Sequence, residues 1–453
     1  MLIKRYKQAC QRFSIMPIQA VEKQIMVFKF FFIPSFSFMI IFSTRVQFDT
    51  IDFEHTNMDD DAAVCLAEML DFYDSAVKLN LSFNKQIKLR GWQALFKCVS
   101  LKLLNLRYTS FSEQAVPSLA RALKTQPSLT ILHLENVSLS GKNLLLLVCA
   151  LKTNNVLREL YLGDNNLHPT DGAHLYQLIL SNTSLQMLDL RNNQLQDGGL
   201  MHICDALKHK DVAQKSALSA LVLWNNGITS NGMESMAIAL KKNAKLKTLN
   251  IGSNKLSFEG ILALKPALMV NLSLQRLGLQ ATNLCSAIVL AECIADNHML
   301  VRVDLRDNAR IGSAGLLALH LAMKMNTSIT LLNLDYTCTN SNKIKYQDQF
   351  KHYFDEIKSF CDRNRQTALE KLSVQSSSIN SEGSQVESPV MEDSGFPANE
   401  INEMKSVDTV VKVEGVNENL FNNEALKNIQ SDCKLHCSSV NSTVLSNYVD
   451  VCF

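Results

Sequence analysis

Leucines alternate with polar or aromatic residues in short segments that recur along most of the chain. One segment contains Leu157, Leu160 and Leu162, the last two separated by one aromatic residue, and Asn165 follows three positions later. Alternation with a period of two predicts a short strand with one buried face and one solvent-facing face. The asparagine predicts a turn after the strand, because its amide can bond backbone groups that would otherwise be unpaired.

A helical pattern follows each predicted strand. Leu200, Ile203, Cys204 and Leu207 occupy positions i, i+3, i+4 and i+7, which lie on one face of a helix. The unit after this one carries a similar stripe of methionine, alanine and leucine. The chain is therefore predicted to alternate short strands with amphipathic helices.

The strand segment recurs eleven times, usually at a spacing of 28 residues. Its central buried position is occupied in turn by Ile51, Leu79, Leu104, Leu132, Leu160, Leu188, Leu221, Leu249, Leu277, Val303 and Leu332. One unit cannot bury its leucines alone, so neighbouring units must stack. We predict an α/β horseshoe solenoid with a parallel sheet inside and helices outside. A repeat of 28 residues with a full helix resembles the ribonuclease-inhibitor class of leucine-rich repeats.

The pattern also predicts the organisation of the chain. We expect an N-terminal capping helix region at 1–26, then a Phe-rich segment at 27–44 that interrupts the pattern and could be non-native. About eleven repeats occupy 45–342, and an apolar helical stripe predicts a C-terminal capping helix at 343–372. Residues 373–453 are rich in Ser, Glu and Asn, so we predict a disordered tail.

Composition narrows the class of function. The near-balance of 45 basic and 43 acidic residues gives no argument for nucleic acid or an anionic membrane surface as the main partner. The uncharged part of the Phe-rich segment is shorter than the roughly 20 apolar residues of a spanning helix, so a membrane anchor is the less favoured interpretation. The twelve cysteines show no paired framework, which favours the cytoplasm or the nucleus.

Motifs for catalysis are absent from the sequence. It contains no phosphate-binding glycine loop, no paired-histidine metal helix and no nucleophile elbow. We therefore predict a non-enzymatic protein with no cofactor, no metal and no small-molecule substrate.

The solvent-facing side of the predicted sheet is the favoured binding surface. Trp224 is the most informative residue there, because an exposed tryptophan beside charged residues is typical of interface hot spots. Packing of Trp224 along the strand ladder, and solvated Asp–Arg pairs, are the alternatives. The predicted protein-binding residues are Glu135, Tyr161, Asp189, Arg191, Trp224, Asp304 and Arg306.

A short motif precedes the first predicted strand. Arg45, Val46 and Phe48 fit the basic-Val-x-Phe pattern by which proteins dock on protein phosphatase 1. In that mode the segment adds as a strand, and the Val and Phe side chains enter two apolar pockets. Phe48 also occupies an apolar position of the first repeat, so burial in the solenoid core is the alternative and the favoured one.

Specific strings point to one family of repeat proteins. The runs Val222-Leu223-Trp224-Asn225-Asn226 and Arg90-Gly91-Trp92-Gln93-Ala94 resemble the protein phosphatase 1 regulatory subunit 37 family over roughly 45–370. The resemblance implies a regulator that binds the catalytic subunit of this phosphatase and inhibits it. The Phe-rich segment departs from the family, which has a further repeat in its place, and the tail carries no clear docking motif.

Three other functions remain open. A general leucine-rich-repeat scaffold or adaptor would use the same surface without a phosphatase. A GTPase-activating protein like that for Ran uses this repeat class, but that family carries a strongly acidic tail and this tail is mixed in charge. A membrane-tethered adaptor would require the Phe-rich segment to be native.

Overall fold

A computed structural model describes residues 48–73, 76–98, 100–284, 287–335 and 347–379. Arg45 and Val46 lie outside the described residues, as do both predicted N-terminal segments and the tail from 380 onward. The chain divides into two units, 1–365 and 366–453. All the repeats belong to the first unit, and of the second only the end of one helix is described.

Within these described residues, eleven parallel strands form one sheet, and their order in the sheet is their order in the chain. The central leucines lie directly opposite one another: Leu160 pairs with Leu188, which pairs with Leu221, which pairs with Leu249. The predicted leucine-rich-repeat fold is thereby confirmed, as an open solenoid within the first unit. The strands are β1 (Phe48–Asp52), β2 (Ala76–Asn80), β3 (Leu103–Asn105), β4 (Ile131–His133), β5 (Glu159–Tyr161), β6 (Met187–Asp189), β7 (Ala220–Val222), β8 (Thr248–Asn250), β9 (Arg276–Gly278), β10 (Arg302–Asp304) and β11 (Leu331–Asn333).

Helices connect successive strands, as the stripe pattern predicts. Short 3-10 turns at Pro169–Asp171 and Ser230–Gly232 lead directly into two of them. The helices are α1 (Asp60–Tyr73), α2 (Leu89–Leu95), α3 (Val116–Thr125), α4 (Lys142–Leu151), α5 (Gly172–Ser181), α6 (Gln196–Leu207), α7 (Lys210–Lys215), α8 (Met233–Lys242), α9 (Ser257–Leu268), α10 (Ile288–Asp296), α11 (Ser313–Met325) and α12 (Gln347–Ile379).

The core is a continuous layer between sheet and helices. Leu160, Leu188 and Leu221 have no exposed surface, and the helix residues Leu200 and Ile203 pack into the same layer. Each buried leucine of this size contributes about 1.5–3 kcal/mol relative to exposure. Because each unit covers the leucines of the next, the stability of one repeat depends on its neighbours.

Buried asparagines join successive repeats after several of the strands. The Asn193 amide donates to the carbonyls of Leu162 and Leu190, at 3.1 and 2.9 Å. Its Oδ1 accepts the backbone N–H groups of Asn165 and Leu167, both at 3.0 Å. One side chain therefore satisfies backbone groups in two repeats. Because those backbone groups are buried, the asparagine side chain has to be buried with them.

A second row of buried asparagines lies where the helices end. Asn182 is representative: its amide donates 2.7 Å to the Leu151 carbonyl of the preceding repeat, and its Oδ1 accepts from Leu185 N at 2.8 Å. These side chains bond the last carbonyls of a neighbouring helix, which no backbone N–H within that helix reaches. The row consists of Asn154, Asn182, Asn243, Asn271, Asn297 and Asn326.

One repeat is longer than the others and breaks the regular pattern. Its additional residues form the short helix α7 between α6 and β7. The asparagine after β7, Asn226, still donates to the Leu190 carbonyl at 2.9 Å. Its buried Oδ1 has no hydrogen-bond partner among the described residues. The asparagine ladder is therefore weakened at the step from β6 to β7.

The last repeat is closed by α12, whose observed start at Gln347 lies inside the predicted cap of 343–372. The helix extends past the predicted end, so its last turns lie in the segment predicted to be disordered. Asn364 is buried and donates to the carbonyls of Asn326 and Ile329, at 3.1 and 3.0 Å. Ile357 and Cys361 join the core, so this part of α12 covers apolar residues of the last described repeat.

Candidate protein-binding surface

The open face of the sheet presents the side chains on either side of each buried central leucine. In β5, Leu160 is buried, while Glu159 and Tyr161 on either side of it are partly exposed. The residue two positions after a strand also lies on the open face; Arg191, which follows β6, is an example. All seven protein-binding residues predicted from the sequence occupy these positions, between β4 and β10.

An acidic–aromatic cluster of His133, Glu135, Glu159 and Tyr161 lies on β4, β5 and the turns after them. The His133 and Tyr161 rings stack at 4.0 Å between centroids with an 11° interplanar angle. The Tyr161 hydroxyl donates to Glu159 at 2.8 Å, and His133 Nδ1 lies 3.2 Å from Glu135 Oε1. Burial, followed by the neighbouring Glu159 carboxylate, raises the pKa of Tyr161 well above its usual value. The phenol therefore stays neutral.

The Asp189–Arg191 pair borders this cluster. Asp189 is 1% exposed, and the Arg191 guanidinium donates to its Oδ2 through Nε, at 2.8 Å, and through Nη2. Burial alone would lower the pKa of Arg191, but the bonds to Asp189 raise it overall. Gly163 makes the arrangement possible, because a methyl group there would lie 2.8 Å from Arg191 Cγ.

A second Asp–Arg pair repeats this geometry on β10. Arg306 donates to Asp304 through Nη2 at 2.8 Å, and Asp304 is 2% exposed. The same carboxylate accepts Gln280 Nε2 at 2.7 Å and Asn333 Nδ2 at 3.1 Å. Hydrogen bonding to Asp304 raises the pKa of Arg306. Both pairs are thus bonded within one strand and its turn, and both carboxylates are buried.

Trp224 lies between the two pairs and is half-buried. Its indole packs over Gly252, where a methyl group would lie 2.4 Å from the ring carbons Cε3 and Cζ3. The sequence placed Trp224 on this face, but it gave no reason to single out Gly252 or Gln280. A glycine at an open-face position next to a tryptophan was the signal that could have identified them.

The face therefore has a largely uncharged centre on β7 and β8 with ionic groups on both sides. Val222 and Asn250 are buried there, Ala220 is half-buried, and the neighbouring Met187 of β6 is half-buried as well. An aromatic and apolar centre with a charged rim is the usual composition of a protein-binding interface. Within the described residues there is no cluster of His, Cys, Asp and Glu side chains fit to hold a metal ion.

The predicted docking string falls largely outside the described residues. Of the three key residues of the string, only Phe48 belongs to the described part of the chain. Phe48 is the first residue of β1, and its backbone pairs with Ala76. The position of its side chain is not described, so docking and core burial both stay predictions. Among the described helices, none combines the length and the apolar character needed to cross a membrane.

Comparison with known proteins gives a consistent result. A leucine-rich-repeat family model matches residues 181–204, 242–265 and 296–319. Two curated relatives, each named protein phosphatase 1 regulatory subunit 37 homolog, come from Caenorhabditis briggsae and Caenorhabditis elegans. They are 52% and 50% identical in alignments of 399 residues, and these alignments cover 82% of this chain and 43% and 42% of the relatives.

A human relative named protein phosphatase 1 regulatory subunit 37 is 43% identical over 266 residues, which is 54% of this chain and 38% of that protein. The chain spans less than half the length of these curated relatives. The chain therefore contains leucine-rich repeats and is similar to the proteins named protein phosphatase 1 regulatory subunit 37.

Proposed function

We propose that this protein is a non-catalytic regulator that binds the catalytic subunit of protein phosphatase 1 and lowers its activity. The names of the homologues support a phosphatase as the partner. The repeat fold supports a binding role, because stacked repeats present an extended concave surface. The cytoplasm or the nucleus is the proposed location.

The observation that carries the proposal is the half-buried Trp224 in an uncharged centre between two fixed Asp–Arg pairs. Tryptophan and arginine are the residue types on which most interface energy depends. Each arginine is already held by its own aspartate, so little side-chain entropy is lost when a partner covers it. The acidic–aromatic cluster adds negative charge at one side, which favours a basic region of the partner there.

An activity assay tests the proposal. The full chain is added to purified phosphatase catalytic subunit, and dephosphorylation of a phosphoprotein and of p-nitrophenyl phosphate is followed. We expect slower turnover of the phosphoprotein, because the covered surface keeps large substrates away. Binding without any loss of activity would favour the scaffold function instead. Absence of binding would overturn the phosphatase assignment.

A second comparison separates the open face from the docking string. Val46→Ala removes one of the two apolar anchors of the docking motif and lies before β1. Binding that survives Val46→Ala but falls with Trp224→Ala supports the open face. The reverse result would assign the contact to the docking string. Phe48→Ala is less informative, because its backbone belongs to the sheet and the variant could lose β1.

A further inference from the structure

A cluster of uncharged side chains surrounds Gly252 and Gly278 on the open face. A methyl group on Gly252 would lie 2.4 Å from the Trp224 ring and 2.8 Å from Gln280 Oε1. A methyl group on Gly278 would lie 2.6 Å from Asn250 Oδ1 and 3.2 Å from the same Gln280 oxygen. The two glycines thus let an indole and two side-chain amides converge. We call this group the amide–indole subsite.

Gln280 is the unusual member of the amide–indole subsite. It is 6% exposed, and its Oε1 has no hydrogen-bond partner among the described residues. The amide cannot simply be reversed, because Nε2 donates to the buried Asp304 carboxylate at 2.7 Å. A buried acceptor without a donor is costly, and native proteins usually satisfy it with protein, water or a ligand. The oxygen therefore retains an acceptor position that no described group uses.

The charges around the subsite restrict what can supply that bond. Trp224, Asn250 and Gln280 are uncharged, and Asp189 and Asp304 on the two sides are already bonded by Arg191 and Arg306. A buried partner charge would find no free counter-charge among these groups, and burial of an unpaired charge is strongly unfavourable. The donor is therefore a neutral N–H, and the indole beside it suits an apolar side chain.

We propose that the amide–indole subsite binds an uncharged, extended segment of the partner protein. A backbone N–H of that segment donates to Gln280 Oε1, and an adjacent apolar side chain packs against the Trp224 indole. The oxygen is buried beside the indole, so the ring moves aside as the segment enters. The proposal rests on the proposed function, since it names how the open face holds the phosphatase catalytic subunit.

Two measurements on the full chain test the proposal with purified protein phosphatase 1 catalytic subunit as the probe. The first compares the affinity of Gln280→Met with that of Gln177→Met, a matched control on the exposed side of α5. We expect about a tenfold loss for Gln280→Met, equivalent to about 1.4 kcal/mol, and no loss for the control. The second follows acrylamide quenching of tryptophan fluorescence in the unmodified chain.

The quenching measurement needs no variant, because the chain has two tryptophans and the other, Trp92, is fully buried. Quenching in the free chain therefore reports Trp224, and saturating catalytic subunit should abolish most of it. If the catalytic subunit binds but leaves quenching unchanged, or binds Gln280→Met as tightly as the control, the subsite proposal is wrong and the proposed function stands. If the unmodified chain does not bind at all, the proposed function fails and takes this proposal with it.

Discussion

At the scale of single residues, buried amides determine how repeats join and glycines determine where side chains can meet. Asn193 satisfies backbone groups in two repeats, whereas Asn226 satisfies carbonyls only and leaves its Oδ1 without a partner in the described structure. Two asparagines at equivalent positions therefore contribute differently to stability.

Asn193→Ala is expected to lower the free energy of unfolding by about 2–4 kcal/mol, because it leaves buried backbone N–H and carbonyl groups unpaired. Asn226→Ala should cost about 1 kcal/mol less, since no N–H loses its acceptor there. Urea denaturation followed by circular dichroism measures both, with the exposed Asn155→Ala as the control. Equal losses at 193 and 226 would contradict the hydrogen-bonding pattern described here.

Gly252→Ala is expected to push the Trp224 indole out of its position, because the new methyl group would lie 2.4 Å from the ring. The emission of Trp224 should shift to longer wavelength as the indole enters water, while buried Trp92 contributes a constant background. A stability loss of about 1–3 kcal/mol should accompany the shift. Gly312→Ala is the matched control, since nothing lies within 4 Å of its added methyl group. An unchanged spectrum for Gly252→Ala would show that the indole does not rest on this glycine.

Buried thiols provide a further prediction at this scale. Burial raises the pKa of Cys98 and of Cys293 to about 12, so neither forms a thiolate near neutral pH. Iodoacetamide at pH 8 should therefore label exposed Cys149 while leaving Cys98 and Cys293 unmodified until the chain unfolds. Peptide mass mapping measures the labelling at each position. Equal labelling of Cys98 and Cys149 in the native chain would contradict the burial of Cys98.

Much of this residue-scale picture could be predicted from the sequence, and the reason is periodicity. The position of each central leucine, such as Leu188, identified a strand, and counting from it placed Trp224 and Arg191 on the open face. The bonds of Gln280 and the row that includes Asn182 could not be predicted. Both depend on which carbonyl or carboxylate of a neighbouring repeat lies within about 3 Å, and a one-dimensional pattern does not specify that distance.

At the scale of elements, most strands are only three residues long and would not persist alone. β6 is held by β5 and β7 on either side and by the layer of helices beneath it. After β11 no further repeat is described, so the apolar side of the last described repeat has to be covered by another element. There α12 supplies both an apolar stripe and polar bonds to the final turn.

Asn364→Ala is expected to loosen this closure, because Asn364 bonds the carbonyls of Asn326 and Ile329 from a buried position. The free energy of unfolding should fall by about 1–3 kcal/mol. Hydrogen exchange of α12 up to residue 365 and of β11 should accelerate, while that of β5 and β6 should not. Acceleration spread evenly over all strands would contradict a local closing role for this part of α12.

At the scale of the whole molecule, the repeats combine into a surface that no single unit possesses. The acidic–aromatic cluster, the two Asp–Arg pairs and the uncharged centre come from residues on strands between β4 and β10 and on the turns after them. A partner that covers this surface contacts side chains more than 170 residues apart in sequence, from His133 to Arg306. Disruption of any intermediate repeat should therefore affect binding as well as stability.

The most direct measurement is the affinity of Trp224→Ala for purified protein phosphatase 1 catalytic subunit, compared with the unmodified chain and with Met201→Ala. Met201 is exposed on α6, outside the open face, and serves as the control. Our account predicts a loss of at least about 30-fold for Trp224→Ala, as for a hot spot of about 2 kcal/mol, and no loss for the control. Equal affinities of Trp224→Ala and the unmodified chain would contradict binding through the open face.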